Sequence, residues 1–279
     1  MALAFTKMHG LGNDFVILDQ TAGTGPLKPE FLRHLANRRT GVGCDQILVV
    51  ERSDSAGAKF GYRIYNADGS TAGQCGNGVR CVARWLADRG FTDGGEVALD
   101  SPGGVVRTRL LDDGLVTVDM GPPRFEPADI PFVADQRADS YELQLDGEPV
   151  RIGAVSMGNP HLVLTTPDAR RAPVAELGPR LEHHARFPDR ANVGFMEVVG
   201  RDHIRLRVYE RGAGETLACG TGACAAVAVG RRWQELDERV RVDLPGGRLV
   251  VSWSGGDGDP VWMTGPAVEV FRGELGSDR

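Results

Sequence analysis

The turn Gln74-Cys75-Gly76-Asn77-Gly78 returns 144 residues later as Ala218-Cys219-Gly220-Thr221-Gly222, and an apolar helical run follows it both times. Other markers recur in the same order. Tyr65-Asn66 stands ten and nine residues before Cys75, as Tyr209-Glu210 does before Cys219. Gly12-Asn13 has a partner in Gly158-Asn159, and Gln46 in Asn192, both at an offset of 146. Pro102-Gly103-Gly104 matches Pro245-Gly246-Gly247 at 143, and Gly121-Pro122 matches Gly265-Pro266 at 144. A long, nearly constant period with one Gly-flanked thiol per copy excludes a short-repeat solenoid and points to two homologous domains. A chain of 279 residues is long enough for two domains of ordinary size.

Between Gly, Asp and Pro punctuation, several runs read as short strands, mostly antiparallel. They include Phe15-Val16-Ile17-Leu18, Gln46-Ile47-Leu48-Val49-Val50 and Phe60-Gly61-Tyr62-Arg63-Ile64-Tyr65 in the first copy. The second copy has Leu162-Val163-Leu164, a run over 203–209, and Leu249-Val250-Val251-Ser252-Trp253. Helical periodicity is rarer. It predicts helices over 29–37 and 174–184, and one after each thiol. The helix after Cys75 is stopped by Gly90, a residue type common just past a helix end. The helix after Cys219 contains Ala223-Cys224-Ala225-Ala226-Val227-Ala228-Val229, is apolar on every face and is expected to be buried. The fold class that follows is α+β: two homologous domains, each with β-strands wrapped around a central helix. Their expected extents are residues 1–120 and 121–264, broken at the rigid Gly121-Pro122-Pro123.

A free cysteine is mostly protonated at neutral pH. At a helix N-terminus the backbone N–H groups and the dipole favour the thiolate. The same N–H groups hold carboxylates, and Gly76 and Gly220 allow a ligand to approach the backbone closely. Two such motifs facing each other would grip one α-carboxylate and place sulfur on both sides of its α-carbon. Cys75 and Cys219 are therefore the candidate acid/base pair. Cys44, Cys81 and Cys224 lack that context and are expected to be small core residues. Taken alone, Asn13, Asn77 and Asn192 suit their turns for backbone reasons, and loop placement leaves His161 open between structure and chemistry.

Carbanion chemistry at an amino-acid α-carbon usually relies on pyridoxal phosphate bound to a Lys. The three lysines, Lys7, Lys28 and Lys59, lie outside every recurring motif, and no Walker-type phosphate loop is present. The expected chemistry therefore uses no cofactor. The cysteine spacings do not match Cys-x2-Cys zinc sites, so no metal is expected. A net charge of −6 without a Lys/Arg cluster argues against nucleic acid. No apolar run approaches membrane-spanning length, so no membrane partner is expected. An odd cysteine count and an N-terminus without a secretory pattern suggest reduced thiols in the cytoplasm.

Four motifs resemble, in order and across nearly the whole chain, those of the diaminopimelate epimerase family. They are Lys7-Met8-His9-Gly10-Leu11-Gly12-Asn13-Asp14-Phe15, the stretch from Tyr65-Asn66 through Cys75-Gly76-Asn77 to Cys81, Met157-Gly158-Asn159-Pro160-His161, and Glu210-Arg211 through Cys219-Gly220-Thr221-Gly222. Proline racemases share the two-thiol logic but carry His where this chain has Asn77. The resemblance implies conversion of LL-diaminopimelate to the meso form, in lysine and peptidoglycan biosynthesis, with the active site in the interdomain cleft. It implies Cys75 and Cys219 as acid/bases, and Gly76, Asn77, Gly220 and Thr221 as holders of the reacting carboxylate. It places Asn13, Asn66, Asn159, Asn192 and Arg211 at the distal end, with Gln46 and Glu210 nearby, and has His161 and Glu210 position the reacting end. It also implies a homodimer, and a C-terminal strand, about 265–279, that returns to the first domain. Other readings stand beside it. A proline or hydroxyproline racemase would not require Arg211 and the Asn set. A thiol–disulfide protein would ordinarily show Cys-x-x-Cys spacing. A non-catalytic binder of a dicarboxylic amino acid would differ only at the two thiols.

Overall fold

The structure is a computed structural model describing residues 3–23, 25–73 and 75–276; Gln74 of the first thiol turn and the last three positions of the C-terminal stretch lie outside the described residues. The chain divides into two compact units. Unit 1 is Met1–Val118 with Gly265–Arg279, and unit 2 is Asp119–Thr264, so the break falls just ahead of Gly121-Pro122-Pro123.

In chain order, unit 1 opens with β1 (Leu3–Gly10), β2 (Asn13–Asp19), α1 (Pro29–Ala36), β3 (Gln46–Arg52), β4 (Phe60–Asn66) and β5 (Thr71–Ala72). It continues with α2 (Gly76–Asp88), β6 (Gly95–Ser101), β7 (Gly104–Leu110) and β8 (Val116–Asp119). Unit 2 holds β9 (Tyr141–Leu145), β10 (Glu148–Ser156), β11 (Pro160–Thr165), α3 (Val174–Glu182), β12 (Asn192–Gly200), β13 (His203–Glu210) and β14 (Gly214–Thr216). After these come α4 (Gly220–Arg232), β15 (Arg239–Leu244), β16 (Gly247–Ser252) and β17 (Trp262–Gly265). The last strand, β18 (Val268–Leu275), pairs antiparallel with β1.

The duplication reaches the level of strand register. Parallel β2 and β3 set Phe15 against Gln46, and parallel β11 and β12 set His161 against Asn192. Ile64 opposes Ala72 between β4 and β5, as Val208 opposes Thr216 between β13 and β14. Phe60 opposes Leu99 between β4 and β6, as Ile204 opposes Val242 between β13 and β15. Each of these pairs reproduces its counterpart at the sequence offsets of 143–146, so the repeat is two copies of one folded sheet.

Each sheet curls around one helix. α2 packs on β1, β2, β3 and β7; α4 packs on β10, β11, β12, β13 and β16. Residues from Ala223 to Ala228 have no exposed surface, as an all-round apolar helix requires. α2 ends at Gly90 with φ +71°, and Phe91 N–H returns to the Leu86 carbonyl at 3.0 Å. That six-to-one bond satisfies an end carbonyl and needs a left-handed residue, which Gly supplies without strain. α4 closes in the same way, Glu235 N–H to the Gly230 carbonyl at 3.0 Å, but its left-handed residue is Gln234 at φ +61°. Among the described residues no helix is long and apolar enough to cross a membrane.

Candidate active site

In unit 1 the thiol arrives by way of a hairpin. Antiparallel β3 and β4 set Gln46 opposite Asn66, and Gln46 Nε2 donates to Asn66 Oδ1 at 3.0 Å. Asn66 Nδ2 donates in turn to Ser70 Oγ at 3.0 Å, which closes the turn into β5. Cys75 then stands at the N-cap of α2 with extended backbone (φ −136°, ψ 105°) and makes no side-chain cap bond. An N-cap side chain normally accepts from the first turn. With a thiol there, the first-turn N–H groups from Gly76 onward point toward the sulfur's side of the helix end.

Asn13 sits against that thiol. Its Oδ1 accepts from Cys75 Sγ at 3.7 Å and from Asn77 Nδ2 at 3.4 Å, and its Nδ2 donates to Asp45 Oδ2 at 3.1 Å. The Asp45 bond fixes which end of the amide meets the sulfur. Asp45 is tied to Asp14 through its own N–H at 2.8 Å and through Arg38, which bridges both carboxylates. Burial pushes the Asp14 carboxyl up, but its bonds from Arg38 and Lys7 outweigh that and hold it well below the usual range. Beneath the site lies Arg80, fully buried one turn into α2. It donates from Nη2 to Asn77 Oδ1 at 2.9 Å and from Nε to the Pro266 carbonyl at 3.1 Å. A Cβ on Gly10 would meet that guanidinium at 3.0 Å, so the end of β1 is kept bare for it.

Unit 2 repeats the plan with different chemistry. Cys219 is the N-cap of α4 (φ −110°, ψ 110°) and is buried, its Sγ 3.6 Å from Thr221 Oγ1. A helix terminus alone predicts a lowered thiol pKa, yet here the pKa lies well above its ordinary value. Burial is the first cause and the neighbouring Glu210 carboxylate the second; the Thr221 hydroxyl and Gly222 N–H oppose them less strongly. The carboxylate is itself held by the Thr216 hydroxyl.

His161 on β11 is 1% exposed, and its Nε2 lies 2.9 Å from Asn159 Oδ1. Burial, and after it the charge of Arg211, pushes its pKa down to about 3, so the ring is neutral at any ordinary pH. Asn192 is buried and already committed to its own unit: Nδ2 donates to the Pro160 carbonyl at 3.0 Å, and Oδ1 accepts from Arg211 N–H at 3.0 Å. The exposed Arg211 rests Nη1 on the Asp189 carbonyl at 3.0 Å.

Of the residues named from the sequence, Asn13, Gln46, Asn66, Cys75, Gly76 and Asn77 belong to unit 1, and Asn159, His161, Asn192, Glu210, Arg211, Cys219, Gly220 and Thr221 belong to unit 2. The structure groups Asn13 with Cys75 and Asn77, apart from the Gln46–Asn66 pair. Cys44, Cys81 and Cys224 are buried, and burial lifts the Cys44 and Cys81 thiols to about 11 and about 12. Among the described residues no group of His, Cys, Asp or Glu could hold a metal. Arg80, Asp45 and Glu182, which bond to Asn77, Asn13 and the Gly212 N–H, are not singled out by the sequence. An Arg between Val79 and Cys81, in the apolar run after Cys75, is the one signal that could flag the first of them.

The family model described as diaminopimelate epimerase matches residues 5–126 and 153–270. The chain is 59% identical to the diaminopimelate epimerase of Alkalilimnicola ehrlichii over the whole of both chains. It is 56% identical to that of Thioalkalivibrio sulfidiphilus over 99% of each. Among solved structures, a PhzF-family phenazine biosynthesis protein of Bacillus anthracis matches with a TM-score of 0.70 at 16% identity, covering 99% of both chains. A hydroxyproline epimerase from Agrobacterium vitis gives 0.69 at 14%, covering all of this chain and 93% of that one. At those identities the likeness is one of fold.

Proposed function

Because the chain belongs to the diaminopimelate epimerase family and is an epimerase, we propose that it converts LL-2,6-diaminopimelate to the meso form without a cofactor, using Cys75 and Cys219 as a two-base pair. The observation that carries this is the placement of both thiols at equivalent N-caps of helices on duplicated sheets. One sulfur, as thiolate, takes the α-proton; the other, as thiol, delivers its proton to the opposite face of the same carbon. The carbon is inverted, one S–H bond forms and one breaks, and the pair is left in the reverse protonation state.

An α-proton of an amino acid is a very weak acid, so the charge that develops on the carboxylate must be stabilised. First-turn N–H groups at Gly76, Asn77, Gly220 and Thr221 suit that task, and their helix dipoles reinforce it. Burial, and after it the Glu210 carboxylate, supports the acid role of Cys219 by keeping that thiol protonated. The bonds of Asn13 to Cys75 and Asn77 support a place at the reacting end. Neutral His161 positions and does not carry a proton in the working range. At the distal end, Arg211 is the group suited to a carboxylate, with Asn66, Gln46 and Asn159 offering amides to the second amino group and carboxylate. Asn192 contributes by holding the Arg211 backbone. The family also carries the proposals of lysine and peptidoglycan precursor supply, a cytoplasmic location and a homodimer.

Proton NMR of the reduced protein with LL-diaminopimelate in D2O, without added cofactor, tests this reading. Meso product carrying deuterium at one α-carbon is expected, with the remaining LL substrate unlabelled at early times, because each face has its own base. Equal early labelling of both pools would overturn the two-base assignment. No product from a sample with titratable thiols would overturn the substrate.

A further inference from the structure

We propose that Glu182 is a positioning residue: from the end of α3 its buried carboxylate suspends the Glu210–Gly214 turn and so sets where Arg211 presents its guanidinium. The inference rests on the reading of Arg211 as the distal-carboxylate ligand. The Glu182 side chain is only 3% exposed. A buried carboxylate is costly unless hydrogen-bonded, and an aliphatic residue would serve the inner face of α3 better if packing were its only task. Its partners show the other task. Oε1 accepts from Gly212 N–H at 2.8 Å, immediately after Arg211, and lies 3.5 Å from Arg190 Nη1. Its main-chain carbonyl accepts from Ala191 N–H at 3.2 Å, fixing the 189–191 segment on whose Asp189 carbonyl the Arg211 guanidinium rests.

Two successive N–H groups of the turn thus end on buried side chains, Arg211 on Asn192 and Gly212 on Glu182. Gly212 has φ +74°, a conformation that favours glycine and bends its N–H toward the carboxylate. The height of α3 over β13 is fixed separately: a Cβ on Gly178 would meet the Tyr209 ring at 2.5 Å. Helix, strand end and turn are therefore set at close range, and Glu182 is the charged contact among them.

Steady-state kinetics of Glu182→Ala, Glu182→Gln and Glu182→Asp, each alone and combined with Arg211→Ala, provides the test, with thermal midpoints as a check on folding. Glu182→Ala is expected to raise KM about tenfold, the size of one hydrogen bond to a charged group, with kcat little changed. Glu182→Gln keeps an acceptor for Gly212 and restores most of the loss. Glu182→Asp keeps the charge but is one methylene short, and behaves like Glu182→Ala. In the Arg211→Ala background the three variants are expected to be indistinguishable, because the group they position is gone. Losses that multiply with that of Arg211→Ala, or that appear in kcat and midpoint without KM, overturn the proposal. If Glu182→Ala fails to fold, the Gln and Asp variants decide: equal KM values overturn it. An unchanged kcat/KM in Arg211→Ala alone would instead remove the reading of Arg211. A damaged Arg211→Ala beside unaffected Glu182 variants would remove only this one.

Discussion

The two thiols occupy matching backbone positions and sit in opposite surroundings. Cys219 is buried beside a carboxylate, while Cys75 is half-buried against an amide oxygen whose orientation Asp45 fixes. Replacing either with Ala is expected to lower kcat by several orders of magnitude without unfolding the protein, as loss of an essential acid/base does; turnover assays with circular dichroism check both parts. Glu210→Gln should bring the Cys219 pKa down from its raised position, read as faster iodoacetamide modification of that residue at mildly alkaline pH. His161 provides a pH dependence of known sign. Its folded pKa of about 3 lies below its ordinary 6.5, so between those values the unfolded chain binds a proton that the native state refuses. Stability is therefore full above about 6.5 and is lost progressively as the pH falls toward 3. Urea unfolding across that range, compared with His161→Asn, should show the wild-type decline flattened in the variant.

At the scale of elements, the helices that present the thiols were legible because their signals are local. A Gly-flanked N-cap, an apolar run and Gly90 at the end of α2 specify a helix from its own residues. The matching end of α4 was not legible. Gln234 takes the left-handed position at φ +61° because Glu235 and Leu236 must return to Gly230, a demand made by packing. Gln234→Gly should stabilise the protein by about 0.5–1 kcal/mol, since Gly relieves the left-handed strain and gives back part of that in chain entropy; denaturant midpoints read it. The opposite is expected at Gly153 on β10. A Cβ there would lie 2.3 Å from Val229 of α4, and Gly153→Ala should cost about 1–3 kcal/mol through overpacking.

On the scale of the whole molecule, unit 1 is discontinuous in sequence and completed by the last strand. β1 pairs with β2 on one side and β18 on the other, and Phe5 meets Phe271 edge to face at 6.0 Å. Ending the chain after Pro266 would leave β1 as an open edge. Its amides are expected to exchange with solvent about tenfold faster or more, while those of β11 and β12, in unit 2, keep their protection. Hydrogen exchange followed by mass spectrometry reads both, and an open edge of that kind should also increase self-association.

The sequence by itself determined the duplication, the α+β class and the two helix-borne thiols. Those are matters of pattern: fixed offsets, glycines at turns and apolar runs are written in neighbouring residues. Tertiary structure alone decided how each group is used. Asn192 spends its amide on Pro160 and Arg211, Asn13 turns its oxygen to Cys75, and burial, with Glu210 after it, raises the Cys219 thiol that a helix terminus would have lowered. Glu182 and Arg80 are charges buried by strands distant in sequence, and their partners exist only once the sheets have curled around the helices. A hydrogen bond or a desolvated charge depends on distances of a few ångströms between such segments, and folding is what fixes them.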